Sequence, residues 1–99
     1  MSEKTVIYIN GHFKDLKDAN ISVLDQGFLL GDAVFDVVSA WNGKIFKLEA
    51  HLDRFQDSIK ATRLCASLDR EGWKNSIIET VKRNNLKDAS IRFIATRGV

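Results

Sequence analysis

Three side chains in this 99-residue sequence break the pattern of the elements around them. Asp36 lies in a strand predicted over 33–41, where its neighbours on the same face, Val34, Val38 and Ala40, are all apolar. An ionised carboxylate left alone in a dry interior is strongly unfavourable, so Asp36 either stays wet at a strand edge or has a partner. Arg54 lies on a helix predicted over 49–64, in a row with His51, Ser58, Ala61 and Cys65 that is made of small residues below the arginine. That row is apart from the wet face of Glu49, Asp53, Gln56, Lys60 and Arg63. Either Arg54 serves something beyond the helix, or it makes an exposed i+3 contact with Asp57 of little energetic weight. Arg92 sits in the middle of a strand predicted over 89–96, flanked by Phe93 and Ile94. It is a functional cation or a charge guarding a sheet edge against unwanted pairing.

Other reactive side chains fall into no catalytic set. His12 and His51 lie on different elements, the first in a turn and the second at a helix start, and no HxxxH, CxxC or DxD spacing supports a metal site. Ser22, Ser39 and Ser58 lack the G-x-S-x-G setting of an activated serine. Cys65, on the small-residue row, reads as core rather than nucleophile. Gly27 and Gly31 do not form a phosphate-cradling GxGxxG loop.

The elements that must position these residues centre on 25–54. Gly27 and Gly31 hold Phe28, Leu29 and Leu30 in a loop, and these either pack beneath the domain or meet something outside the chain. The strand over 33–41 puts Phe35, Val37, Ser39 and Trp41 on the face opposite Asp36. Asn42-Gly43 signals a tight hairpin, since both central residues of a type I′ turn need positive φ. A return strand over 44–48 feeds the helix, whose Leu48, Leu52, Phe55 and Ile59 face the sheet.

Upstream, the sequence predicts a strand over 5–9, a turn at Asn10-Gly11, a return strand over 12–14, a polar connector over 15–20 and an extended piece over 21–24. Downstream, Asp69 caps a second helix, with Leu68 and Trp73 spaced as a hydrophobic staple. Trp73, Ile77 and Val81 line its buried side, and Asn84-Asn85 ends it. These elements make an α+β domain: a mainly antiparallel sheet with two helices packed on one face, a two-layer sandwich.

Ninety-nine residues make one domain, which buries about 65% of the surface its unfolded chain exposes. A net charge of +2 from interspersed charges gives no basic stripe, which disfavours nucleic acid. No apolar run nears the about 20 residues that span a bilayer, the MSEKTV start has no signal-peptide core, and a lone cysteine fits a reducing compartment. The expectation is a cytoplasmic domain with no membrane partner.

The ordered strings DQGFLLGDAVFD, WNGKIFKLEAHLDRF and TRG resemble the N-terminal domain of the class IV aminotransferases, the fold-type IV pyridoxal-phosphate enzymes. The resemblance runs from Tyr8 to Gly98 and makes 1–99 that N-terminal domain. It implies pyridoxal 5'-phosphate as cofactor, with Arg54, of the H-[LI]-x-R segment, on the phosphate. A guanidinium's planar fork of donors matches phosphate oxygens, and small neighbours let a ligand approach.

The resemblance further implies that Phe35, of the G-D-x-V-[FY]-E segment, and Ser39 line the substrate pocket, Asp36 replacing the usual Glu. Arg92 matches the arginine that receives a substrate carboxylate, while Ser90 replaces the tyrosine of the branched-chain enzymes. The family's Schiff-base lysine lies in a C-terminal domain absent from this sequence, so no catalytic residue is assigned and the isolated chain is expected to be inactive.

The implied activity is amino transfer between an amino acid, branched-chain type favoured, and a 2-oxo acid, in a homodimer. D-amino-acid transaminase, (R)-amine transaminase and aminodeoxychorismate lyase are the alternatives within the family. A stand-alone binding or dimerisation module, using the Phe28–Leu30 segment, is the alternative of another class.

Overall fold

The structure, a computed structural model, describes residues 4–99, so the reading of the MSEKTV start lies in part outside the described residues. The described residues form two antiparallel sheets. β1 (Val6–Ile9) pairs with β2 (His12–Asp15) across Asn10-Gly11, and a single 3₁₀ turn follows at Leu16–Asp18. β3 (Ala33–Trp41) is central to the other sheet, with β4 (Lys44–Ile45) on one side and β5 (Ala89–Thr96) on the other. Both hairpins turn through an Asn-Gly pair with positive φ at both residues: 49° and 89° at Asn10-Gly11, 51° and 79° at Asn42-Gly43.

α2 (Leu48–Thr62) and α3 (Arg70–Arg83) cover one face of the three-stranded sheet. The pleat dictates which face. Asp36, Val38 and Ala40 of β3 are buried, as are Phe93 and Ala95 of β5, while Phe35, Trp41 and Ile94 are exposed on the other side. Leu52, Phe55 and Ile59 of α2 and Ile77 of α3 close the core, with Phe55 edge-on to both Trp73 and Phe93 at 4.8 Å. This is the expected two-layer α+β arrangement.

α3 starts at Asp69, whose carboxylate accepts from the Gly72 N–H at 2.8 Å. At its other end, Asn85 takes the left-handed conformation and Asn84 turns back to the hairpin. The Asn84 amide accepts from the Val6 N–H at 2.7 Å and donates to the Val6 carbonyl at 2.8 Å. The Arg83 guanidinium lies 4.0 Å from the Phe13 ring centre and adds a second attachment of the hairpin.

Three local expectations are corrected. The segment from Phe28 to Leu30 is not a loop but part of a short helix, α1 (Gln26–Leu30). Asp25 caps it by accepting from Gly27 and Phe28, and Gly31 ends it at φ 67°. Thr96 donates to the same Asp25 carboxylate at 2.8 Å and passes so close that a side chain at Gly27 would strike it. Residues 21–24 are a turn rather than a strand, and the return strand is only Lys44–Ile45 because Lys47 turns left-handed to start α2.

Arg97 ties the end of β5 to two other segments. It pairs through two nitrogens with Asp32 and donates to the Thr62 and Arg63 carbonyls, each at 3.0 Å, which would otherwise be left open at the end of α2. Across the helix pair, Arg70 binds Glu49 and Asp53, and Lys74 binds Glu49.

Candidate functional site

The left-handed Lys47 sets α2 against β3 so that the helix's opening turns pass over Asp36. Arg54 Nε donates to Asp36 Oδ2 at 2.8 Å and Nη2 to Oδ1 at 2.7 Å. His51 Nδ1 lies 2.9 Å from Oδ1, and the Val37 N–H donates to Oδ1 at 2.8 Å. A carboxylate only accepts, so the proton of the His51 ring is assigned to Nδ1. The 3.2 Å approach of Arg54 Nη2 to that nitrogen is then two donors crowding one shared oxygen.

Asp36 is 7% exposed and Arg54 67% exposed, so the carboxylate is covered in part by a side chain that itself faces solvent. The Arg54 bonds hold the Asp36 carboxyl well below the ordinary carboxylate range, against burial, which pushes it up; His51 and the Val37 N–H add to the lowering. The same contact raises the Arg54 guanidinium. A carboxylate with a depressed native pKa contributes stability that is complete above its unfolded value and is lost as pH falls through the native one. Asp36→Asn is therefore expected to destabilise the domain by about 1–2 kcal/mol at neutral pH. In urea titrations, that difference from wild type is constant down to about pH 4 and shrinks below it. A difference that grows on acidification contradicts the pairing.

Beside this cluster is an open cleft of about 330 Å³ lined by Phe35, Asp36, Val37, Arg54 and Ser58. The structure thus brings Arg54 and Phe35 to one place. Arg92 adjoins it on the open sheet face, opposite Val37, with its guanidinium 5.3 Å from the Phe35 ring centre and no carboxylate paired with it among the described residues. Ser39 lies further along the same face, opposite Ser90, and does not line the cleft.

Several readings change here. Asp36 is neither wet nor alone, and Arg54 pairs with it rather than with Asp57. Cys65 is exposed rather than core, because α2 ends at Thr62 and Cys65 lies beyond its cap. Gln56 is half-buried, not on the wet face. The sequence placed His51, Arg54 and Ser58 in one helical row and marked Asp36 separately, but did not join Asp36 to them, and Ser58 was not singled out as a site residue.

The family model for amino-transferase class IV matches residues 33–99, which include β3, α2 and β5. The chain belongs to this family. Among curated relatives, a Methanocaldococcus jannaschii protein named "Putative branched-chain-amino-acid aminotransferase" is 46% identical over 93 residues, 94% of this chain and 32% of its own length. A D-alanine aminotransferase of Staphylococcus haemolyticus is 34% identical over 95 residues, 96% of this chain and 34% of its length. Among solved structures, a T.th. branched-chain amino acid aminotransferase with pyridoxamine 5'-phosphate superposes with a TM-score of 0.89 at 30% identity, over 97% of this chain and 33% of that one. This class IV aminotransferase chain therefore spans about a third of the length of the relatives it matches. Among the described residues no helix is long and apolar enough to cross a membrane.

Proposed function

We propose that this chain is the N-terminal domain of a pyridoxal-phosphate-dependent aminotransferase that moves an amino group between a branched-chain amino acid and a 2-oxo acid. The observation that carries the reading is the arrangement at Arg54: a guanidinium fixed on one edge beside an open cleft, with Nη1 unpartnered among the described residues. Arg54 and the Ser58 hydroxyl are donors of the kind a phosphate needs, and the cleft leaves them accessible, so the residues present fit the phosphate end of pyridoxal 5'-phosphate.

When bound, the cofactor supplies an electron sink for the carbon that carries the amino group. The chain's own residues bind and orient. Arg54 holds the phosphate; Phe35 and Ser39 shape the substrate side; Arg92, steadied on the Phe35 ring, receives a substrate carboxylate. The lysine that would hold the cofactor belongs to a second domain, and the 99-residue chain alone is expected to be inactive. Phe28, Leu29 and Leu30, 65%, 54% and 74% exposed, suit burial against that domain or the partner protomer of a cytoplasmic homodimer.

The M. jannaschii relative's name and its 46% identity favour branched-chain donors. D-alanine is the second reading, supported by the staphylococcal relative and by Ser90, a small residue where branched-chain enzymes carry tyrosine. The test is amino transfer by the full-length protein to 2-oxoglutarate from L-leucine, L-isoleucine, L-valine and D-alanine. Transfer from the branched-chain donors is expected; transfer from D-alanine alone selects the second reading. Pyruvate release without an amino acceptor selects the lyase, and no transfer from any amino acid overturns the transaminase reading.

A further inference from the structure

The edge of a guanidinium formed by Nε and one Nη is its best face for a two-point grip on an oxyanion. In this domain that edge of Arg54 is already taken. Asp36 accepts from Nε and Nη2, and its Oδ1 is held in turn by His51 and the Val37 N–H. Any ligand in the cleft is left with Nη1 and the outer hydrogen of Nη2. We infer that Asp36 is a positioning residue for the phosphate anchor: it grips Arg54 by one edge so that the anion is received end-on, and His51 keeps the carboxylate turned to do so.

Three observations carry this. Arg54 is 67% exposed, so without Asp36 nothing among the described contacts of its guanidinium would hold it to the cleft, apart from the crowded approach to His51. Asp36 cancels the arginine's charge at bonding distance. The pair therefore attracts a phosphate through the direction of its free N–H groups more than through net charge, and direction is what Asp36 supplies. Finally, β3 buries Asp36 on its core side while Phe35, the residue before it, forms the cleft wall, so the strand that shapes the cleft also fixes the anchor.

The inference rests on Arg54 as the phosphate anchor, and its test separates the two. In the full-length protein freed of cofactor, dissociation constants are measured for pyridoxal and for pyridoxal 5'-phosphate, and the first divided by the second isolates the contribution of the phosphate. Asp36→Asn is expected to lower that ratio about tenfold, with pyridoxal affinity nearly unchanged. Asp36→Glu, which restores a carboxylate, is expected to keep the ratio within about threefold of wild type. His51→Ala leaves the Arg54–Asp36 bonds in place and is expected to lower the ratio about threefold.

Affinities for both ligands falling together at constant ratio would mean that Asp36 is merely structural, which overturns the inference. So would an intact ratio in Asp36→Asn when Arg54→Ala has lost it. If Asp36→Asn does not fold, an unchanged ratio in His51→Ala overturns it instead. An intact ratio in Arg54→Ala overturns the anchor itself, and the inference with it.

Discussion

Arg54→Ala, in the full-length protein, is expected to raise the dissociation constant of pyridoxal 5'-phosphate by about 10–100-fold, as loss of charge-assisted hydrogen bonds to the phosphate implies. The variant has a second defect. It leaves the Asp36 carboxylate, 7% exposed, with only His51 and the Val37 N–H as donors. Unfolding of the cofactor-free protein should therefore be measured beside binding, so that loss of affinity is not confused with loss of fold. Arg54→Lys should recover little of the affinity. An ammonium is a point charge and cannot bind both Asp36 oxygens side by side while presenting a fixed donor to the cleft. Unchanged affinity in Arg54→Ala would refute the assignment.

Phe55→Ala should have the largest effect on the fold. Phe55 is 1% exposed, stands edge-on to Trp73 and Phe93, and joins α2, α3 and β5 in one cluster. Truncating a buried phenylalanine removes its transfer free energy and leaves a cavity, together about 3–5 kcal/mol. A domain of this size has about 5–15 kcal/mol in all, so much of its stability should go. The midpoint of thermal unfolding should fall by about 12 °C or more. A shift of only a few degrees would show that the two layers do not depend on this ring.

What could be read from the sequence was what local rules decide. β3 and β5 were delimited correctly because β-branched and aromatic runs end at Asn-Gly or polar residues. Both hairpins followed from the need for positive φ, and α3 from Asp69. The buried stripe of α2 followed from its helical spacing. The errors fall where two signals competed. Gly27 and Gly31 read as loop breakers, yet Gly31 is a helix terminator and Gly27 is the gap through which Thr96 passes. Asp25 before them was the missed cap.

The Asp36–Arg54 pair spans 18 residues and depends on how α2 docks on β3, which no local rule contains. The two residues were each out of place by the pattern of their own element. Two such anomalies of opposite charge, on elements joined by a tight hairpin, were the signal that could have linked them.

The pleat of β3 also has an evolutionary reading. Its odd-numbered residues from Phe35 to Trp41 face away from the helices, while Asp36, Val38 and Ala40 lie on the helix side. Substitutions on the first set can alter what the domain recognises with little toll on folding; those on the second set disturb folding first. Change that spares the fold is thus expected at alternate positions along this strand. Asp36 alone belongs to both regimes, since it lies on the helix side and yet grips the arginine at the cleft.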